Sequence, residues 1–158
     1  MAYKHILVPV DFSESSRHAL ELGIELATTF KASLTLIHVW EIPTYPYMEL
    51  VPTNIDYLTP VENAAKAKLA ETVAEIEARL PGVKSLLKVG NPWEQILTAI
   101  AGHGIDLVVM GTHGRRGLSH VLLGSVAEKI VRLSPVPVLT AHSATTRAQE
   151  LSPTSKAP

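Results

Sequence analysis

The chain is 158 residues long, 46% apolar and 18% charged: enough apolar material for one buried core, and too much for a disordered linker. Fourteen Lys and Arg stand against fifteen Asp and Glu, a net charge of -1, so it lacks the basic excess of a general nucleic-acid binder or a polybasic membrane anchor. There is no cysteine, which removes disulfides, thiolate metal sites and thiol nucleophiles, while seven histidines keep acid–base chemistry open.

Ile6 to Val10 is a compact apolar run of the kind that forms a strand buried on both faces. It is too short for the core of a signal peptide and is stopped by Asp11. No run approaches the roughly 20 apolar residues that span a bilayer. The expected location is the cytoplasm. From Ser13 to Phe30 the period changes to that of a helix, with Ala19, Leu20, Gly23, Ile24, Leu26, Ala27 and Phe30 on one stripe. Leu34 to Trp40 is a second strand. His38 within it reads as a satisfied buried histidine rather than a catalyst.

Residues 41–58 carry Pro43, Pro46 and Pro52 and three tyrosines, Tyr45, Tyr47 and Tyr57. They make a long irregular connection, and such segments often serve as lids or contact surfaces. The next helix is expected to start at Thr59 as N-cap, with Pro60 in the first turn and Glu62 completing a capping box. Val61, Ala65, Leu69, Val73, Ile76 and Leu80 form its apolar stripe. Glu62–Lys66 and Glu75–Arg79 are spaced as favourable pairs on its outer face. Pro81-Gly82 ends it.

Val83 to Val89 is a third strand. Asn91-Pro92-Trp93-Glu94 opens a helix that stops at Gly102 or Gly104. Ile105 to Met110 is a fourth strand. Residues 111–124 form a glycine-bearing loop with a short helical turn in its second half. Ser125-Val126-Ala127-Glu128 reads as a capping box that opens a helix to about Leu133. Val136 to Ala141 is a fifth strand, with Pro137 near its start as suits an edge. Residues 1–142 make one domain, and 143–158, rich in Ser, Thr, Ala and Pro, are expected to be a disordered tail. Five strands alternating with four helices call for an α/β fold, a parallel sheet covered on both faces.

In such sheets ligands bind beyond the carboxyl ends of the strands. Two ends look specialised. The first strand runs out through Pro9, Val10 and Asp11. Asp11 can cap the following helix or contact a ligand. The fourth strand runs out through Met110, Gly111, Thr112, His113 and Gly114. Gly111 is expected to let the chain turn off the strand, and Gly114 to permit positive φ and close approach. Gly124 and Ser125 then stand at a helix start, whose free N–H groups and dipole favour an anion. Ser125 can cap that helix, donate to a phosphate, or both. Arg115 and Arg116 are either phosphate contacts or solvated loop residues. The result is a phosphate cradle built mostly of backbone. Neither G-x-x-x-x-G-K-[ST] nor G-x-G-x-x-G occurs. No G-x-S-x-G elbow occurs either, so no catalytic nucleophile is assigned. The spacings of His5, His18, His103, His120 and His142 match no metal motif, and no protein-chelated metal is expected. Trp40 and Trp93 read as packing residues.

The spacing Gly111-x2-Gly114-x9-Gly124-Ser125 resembles the nucleotide-binding signature of the universal stress protein family. The opening Ile6-Leu7-Val8-Pro9-Val10-Asp11-Phe12-Ser13 is similar to that family's first strand, and Gly124 to Val131 followed by Pro135 to Leu139 to its ending. The resemblance covers about residues 2–142. It implies a flavodoxin-like, Rossmann-like open five-stranded sheet in the order 3-2-1-4-5. It implies ATP as ligand, or AMP or ADP, with Mg²⁺ riding on the phosphates. Carried over by position, Pro9, Asp11 and Val39 would contact the adenosine part, Asp11 at the ribose and the Val39 backbone at adenine. Val10 lies between two of them. Met110, Gly111, His113 and Gly114 would line ribose and phosphate, and Gly124, Ser125 and Val126 would hold the phosphates. Where many relatives have Ser-Arg this chain has Ser119-His120, which leaves the choice among ATP, ADP and AMP open. The resemblance also implies a homodimer paired through Val136–Ala141, and a stress-response or regulatory module as its function. The alternative is a slow ATP hydrolase or phosphotransferase.

Overall fold

The computed structural model describes residues 3–42, 56, 58–112 and 123–142. Strand β1 (His5–Pro9) leads into α1 (Glu14–Phe30), β2 (Ser33–Trp40), α2 (Leu58–Glu77), β3 (Lys84–Val89), α3 (Pro92–Gly102), β4 (Leu107–Gly111), α4 (Ser125–Leu133) and β5 (Val138–Ala141). The strands pair in parallel in the order β3-β2-β1-β4-β5, as expected.

The strand period of two assigns the faces. Ile6 and Val8 of β1, Leu34 and Leu36 of β2, and Leu107 and Val109 of β4 enter a core closed by Ala19, Ile24 and Ala27 of α1 and by Leu69 and Ile76 of α2. Leu7, Ile37, Val108 and Met110 enter a second core, under Ile96 and Ile100 of α3 and Ala127 and Ile130 of α4. Right-handed crossovers require this split. The two connections stepping from β1 out to β3 share one face, and the two returning toward β5 share the other. Ile6, Leu7 and Val8 are fully buried. Each contributes about 1.5–3 kcal/mol by leaving water.

Several local expectations need correction. Helix α2 starts at Leu58, before Thr59, because Asp56 Oδ1 accepts the N–H groups of both Leu58 and Thr59, at 3.2 and 3.0 Å. Pro60 still fits, since a first-turn N–H has no helical partner. The helix ends at Glu77, so Leu80 packs against the core from beyond it. Arg79 therefore leaves the helical spacing with Glu75. It forms a bidentate pair with Glu21 of α1, at 2.9 and 2.6 Å. The hydrogen bonds from Arg79 hold the Glu21 carboxyl below its usual range. Both side chains are about half exposed, so the pair adds little stability. Asn91 is the N-cap of α3 by backbone only, without a side-chain cap bond. β5 begins at Val138, because Pro137 offers no N–H and contributes its carbonyl to Val108 at 3.0 Å. No helix among the described residues is long and apolar enough to cross a membrane. Residues 43–55 and Tyr57, residues 113–122 of the 111–124 loop and the tail 143–158 lie outside the described residues.

At the amino ends of the strands, Asp106 accepts the N–H of Lys4 at 2.8 Å and of His5 at 3.0 Å. His5 Nε2 hydrogen-bonds Thr35 Oγ1 at 2.8 Å. Burial pushes the His5 imidazole below the ordinary value of 6.5, with Lys84 adding to it and a backbone bond to His103 opposing. The folded protein thus accepts this proton at lower pH than the unfolded chain does. His5 contributes fully above pH 6.5, and the contribution is lost as pH falls from there through the folded-state value. Thermal melts between about pH 7.5 and 5.5 should show a shallower loss of Tm in His5→Gln than in the native protein. Equal slopes would remove His5 from the acid response.

Candidate functional site

Strands β1 and β4 are spatial neighbours that are not consecutive in the chain. Their carboxyl ends open the crevice at which the order reverses. At the end of β1, the Val10 N–H donates to the Ile37 carbonyl at 2.9 Å. The Val10 carbonyl accepts from His38 Nδ1 at 2.7 Å. A carbonyl only accepts, so Nδ1 carries the proton. His38 is 5% exposed and, as expected, satisfied in the core.

Phe12 then takes a φ of 64°, in the left-handed region. That costs a residue with a side chain about 1–2 kcal/mol. Its ring lies 4.5 Å from the His38 ring, with Lys68 Nζ 5.5 Å above it. The reversal folds Ser13 back onto Asp11, whose Oδ1 accepts the Ser13 N–H at 3.0 Å and hydroxyl at 2.5 Å. Ser13 is the N-cap of α1, its hydroxyl oxygen accepting the Ser16 N–H at 3.2 Å. Direct capping of α1 therefore falls to Ser13, and Asp11 holds the capping residue in place.

The end of β4 is held by close packing. The reason expected for Gly111 was a turn that needs conformational freedom, but its φ is not positive. A Cβ here would stand 2.5 Å from Ser15 Oγ and 2.8 Å from both the carbonyl carbon and oxygen of Ser15. Only glycine lets the first turn of α1 lie this close to the strand. Thr112 follows, 1% exposed. Its N–H donates to the Ala141 carbonyl at 3.2 Å, and its carbonyl accepts the Gly124 N–H at 2.6 Å. Gly124 is thereby tied through Thr112 to the end of β5.

Gly124 rather than Ser125 is the N-cap of α4, with φ −67° and ψ 155° and no side-chain cap bond. Ser125 is the first helical residue, and its side chain is exposed. The capping box expected at Ser125–Glu128 does not form, since Ser125 is already helical, and Glu128 donates its N–H to the Gly124 carbonyl at 2.9 Å. A glycine cap leaves the N–H groups of this first turn uncovered by a side chain, a setting that suits an anion.

The structure thus brings the Asp11 turn and Gly111 around the first turn of α1, and ties the Gly124–Ser125 helix start to Thr112, the residue after Gly111. Pro9 ends β1 at intermediate exposure, and Val10 is buried. Val39 and Val126 are half-buried against the second core, and the Met110 side chain lies inside it. Trp93 packs on the same core with Lys129 Nζ 4.3 Å over its ring, which fits the packing role expected of it. His113, Gly114, Arg115, Arg116, Ser119 and His120 lie outside the described residues. Among the described residues no three His, Asp or Glu side chains converge as metal ligands. Sequence reasoning passed over Ser15, Thr112 and the left-handed Phe12. Thr112 was detectable as a polar residue between two site glycines, but nothing in the sequence marks Ser15 as the partner of Gly111.

The sequence model of the Universal stress protein family matches residues 2–142. Universal stress protein MJ0577 of Methanocaldococcus jannaschii is 32% identical over 152 residues, covering 87% of this chain and 93% of the relative. The solved universal stress protein UspA from Lactobacillus plantarum superimposes with a TM-score of 0.69 at 26% identity, over 89% of this chain and 99% of that one. A universal stress protein solved in complex with cAMP shares the fold, with a TM-score of 0.67 at 24% identity over 91% of this chain and all of the other.

Proposed function

The chain belongs to the universal stress protein family, and from that premise we propose that it is an adenine-nucleotide-binding regulatory module of the stress response. ATP is the favoured ligand, with Mg²⁺ on its phosphates, and AMP or ADP the alternatives. The observation that carries this reading is the glycine-capped start of α4, held beside Gly111 at the switch point. The full glycine spacing, with Gly114 between them, supports the ATP-binding branch as the reading. That a protein of this fold has been solved with cAMP supports an adenine nucleotide as the ligand class and leaves the number of phosphates to experiment.

In this reading Pro9, Val10, Asp11 and the Val39 backbone meet the adenosine part. Met110, Gly111, His113, Gly114 and Arg115 meet ribose and phosphate, and Gly124, Ser125 and Val126 hold the phosphates. The Met110 side chain is buried, so this position offers its backbone. The module works in the cytoplasm as a homodimer through β5. That strand is an edge, and Leu139 on it is 39% exposed. An apolar edge of this kind is covered in most stable proteins.

The test is calorimetric titration with ATP, ADP and AMP, each with Mg²⁺, alongside mass spectrometry of ligand released from purified protein and light scattering of the eluting species. Saturable ATP binding by a dimer is the expected result. No binding of any of the three would end the nucleotide reading. A monomer at micromolar concentration would end the dimer, and steady release of phosphate from ATP would favour the hydrolase.

A further inference from the structure

We propose that Thr112 and His142 form a positioning pair that locks the anion-binding start of α4 to the edge strand β5 and thereby sets nucleotide affinity. The inference rests on the adenine-nucleotide reading and adds a regulatory input to the same site. Thr112 is a polar residue at 1% exposure. Burying a hydroxyl is costly unless it is bonded. Its Oγ1 shares a hydrogen bond with His142 Nδ1 at 3.1 Å. Its N–H reaches the Ala141 carbonyl, which carries the β4–β5 ladder one residue beyond the last pairing, Gly111 with Ala141. Its carbonyl takes the Gly124 N–H at 2.6 Å, the shortest of these bonds.

One buried residue therefore joins three things: the end of the edge strand, a histidine ring and the N-cap of α4. The Gly124 bond orients the cap, and the cap orients the N–H groups of Ser125 and Val126 that would face a phosphate. Hydrogen-bond donors stabilise charge only when held in direction. His142 is exposed and follows directly on β5, which has a strand neighbour on one side only. A change at that edge reaches Gly124 through two hydrogen bonds. His142 itself touches no ligand in this scheme and acts through Thr112.

The test uses the full chain and Mg²⁺-ATP by calorimetry. Thr112→Val keeps the shape and removes the hydroxyl. It should weaken ATP binding about fivefold, the equivalent of one neutral hydrogen bond. Thr112→Ser should restore affinity to within about twofold. His142→Ala should weaken binding by a similar factor, and the double variant by no more than Thr112→Val alone, since the two act as a unit. Exchange of the Gly124 amide, followed by NMR without nucleotide, should accelerate in Thr112→Val and in His142→Ala. A surface histidine with a merely structural role would not move that amide. His142→Ala with native ATP affinity and native Gly124 exchange would overturn the pair, even if Thr112→Val misfolds. Should the native protein bind no ATP, the nucleotide reading fails while the exchange rates still decide the pair.

Discussion

Gly111→Ala is expected to destabilise the protein by about 3 kcal/mol, a drop in Tm of roughly 10 °C for a chain of this size. The added Cβ would meet backbone atoms of Ser15 at 2.8 Å as well as its Oγ at 2.5 Å. A hydroxyl can rotate away, but the carbonyl carbon and oxygen cannot. Helix α1 must then lift off the end of β4, and Ser13 and Asp11 move with its first turn. Nucleotide affinity should fall together with stability. Gly23→Ala is the internal comparison. Its Cβ would stand 2.7 Å from Cγ2 of the fully buried Val8, so a core side chain must shift, but the nearest atoms are all side-chain atoms. A helix-interior glycine gains about 1 kcal/mol on becoming alanine, which offsets part of that strain, so the loss there should be smaller than at Gly111. A differential scan in which both variants melt alike would refute the backbone-contact account of Gly111.

Gly124→Val is expected to separate binding from folding. The φ and ψ of Gly124, −67° and 155°, are open to any L-residue, so valine fits the backbone. Losing glycine at an N-cap costs a modest amount, within about 1 kcal/mol. The valine side chain, however, would stand over the N–H groups that a phosphate must reach. Loss of one or two charge-assisted bonds, about 1.5–3 kcal/mol each, amounts to at least about tenfold in ATP affinity. Adding Gly114→Val should remove what remains. Native ATP affinity in the double variant, measured by the same calorimetry, would make the phosphate cradle untenable.

The parallel sheet was readable because short apolar runs alternate with 3.6-period stripes, whereas its order came from the resemblance to the family. The faces followed from single residues: Ile6 and Val8 one way, Leu7 the other. Helix starts were less legible, because neighbouring residues compete to cap. Asp56 supersedes Thr59 by accepting two N–H groups at once, and Gly124 supersedes Ser125 because its backbone is already extended. The ion pair of Arg79 with Glu21 joins residues far apart in the chain, so helical spacing pointed to Glu75 instead. The site glycines stood out by spacing. The reason for Gly111 did not, since close approach to Ser15 exists only once α1 is docked on β4. His142 sat in plain view after the last strand, yet its link to Thr112 needs β4 and β5 side by side.

The position of β1 in the middle of the sheet has a consequence for the order in which the molecule is built. β1, α1, β2, α2 and β3 form one stretch of chain joined by local crossovers, and they can assemble as soon as they emerge in synthesis. The other flank of β1 waits for β4. The bonds from Asp106 to the amides of Lys4 and His5 close loops of 102 and 101 residues, and long-range closure of this kind slows folding. Until it occurs, β1 presents an open edge of Ile6, Leu7 and Val8 to any other unpaired strand. The seam at which the late half docks is also the crevice where a nucleotide would lie. A ligand bound there would touch both halves, so it would favour the closed seam and shorten the time that this central strand spends as an adhesive edge.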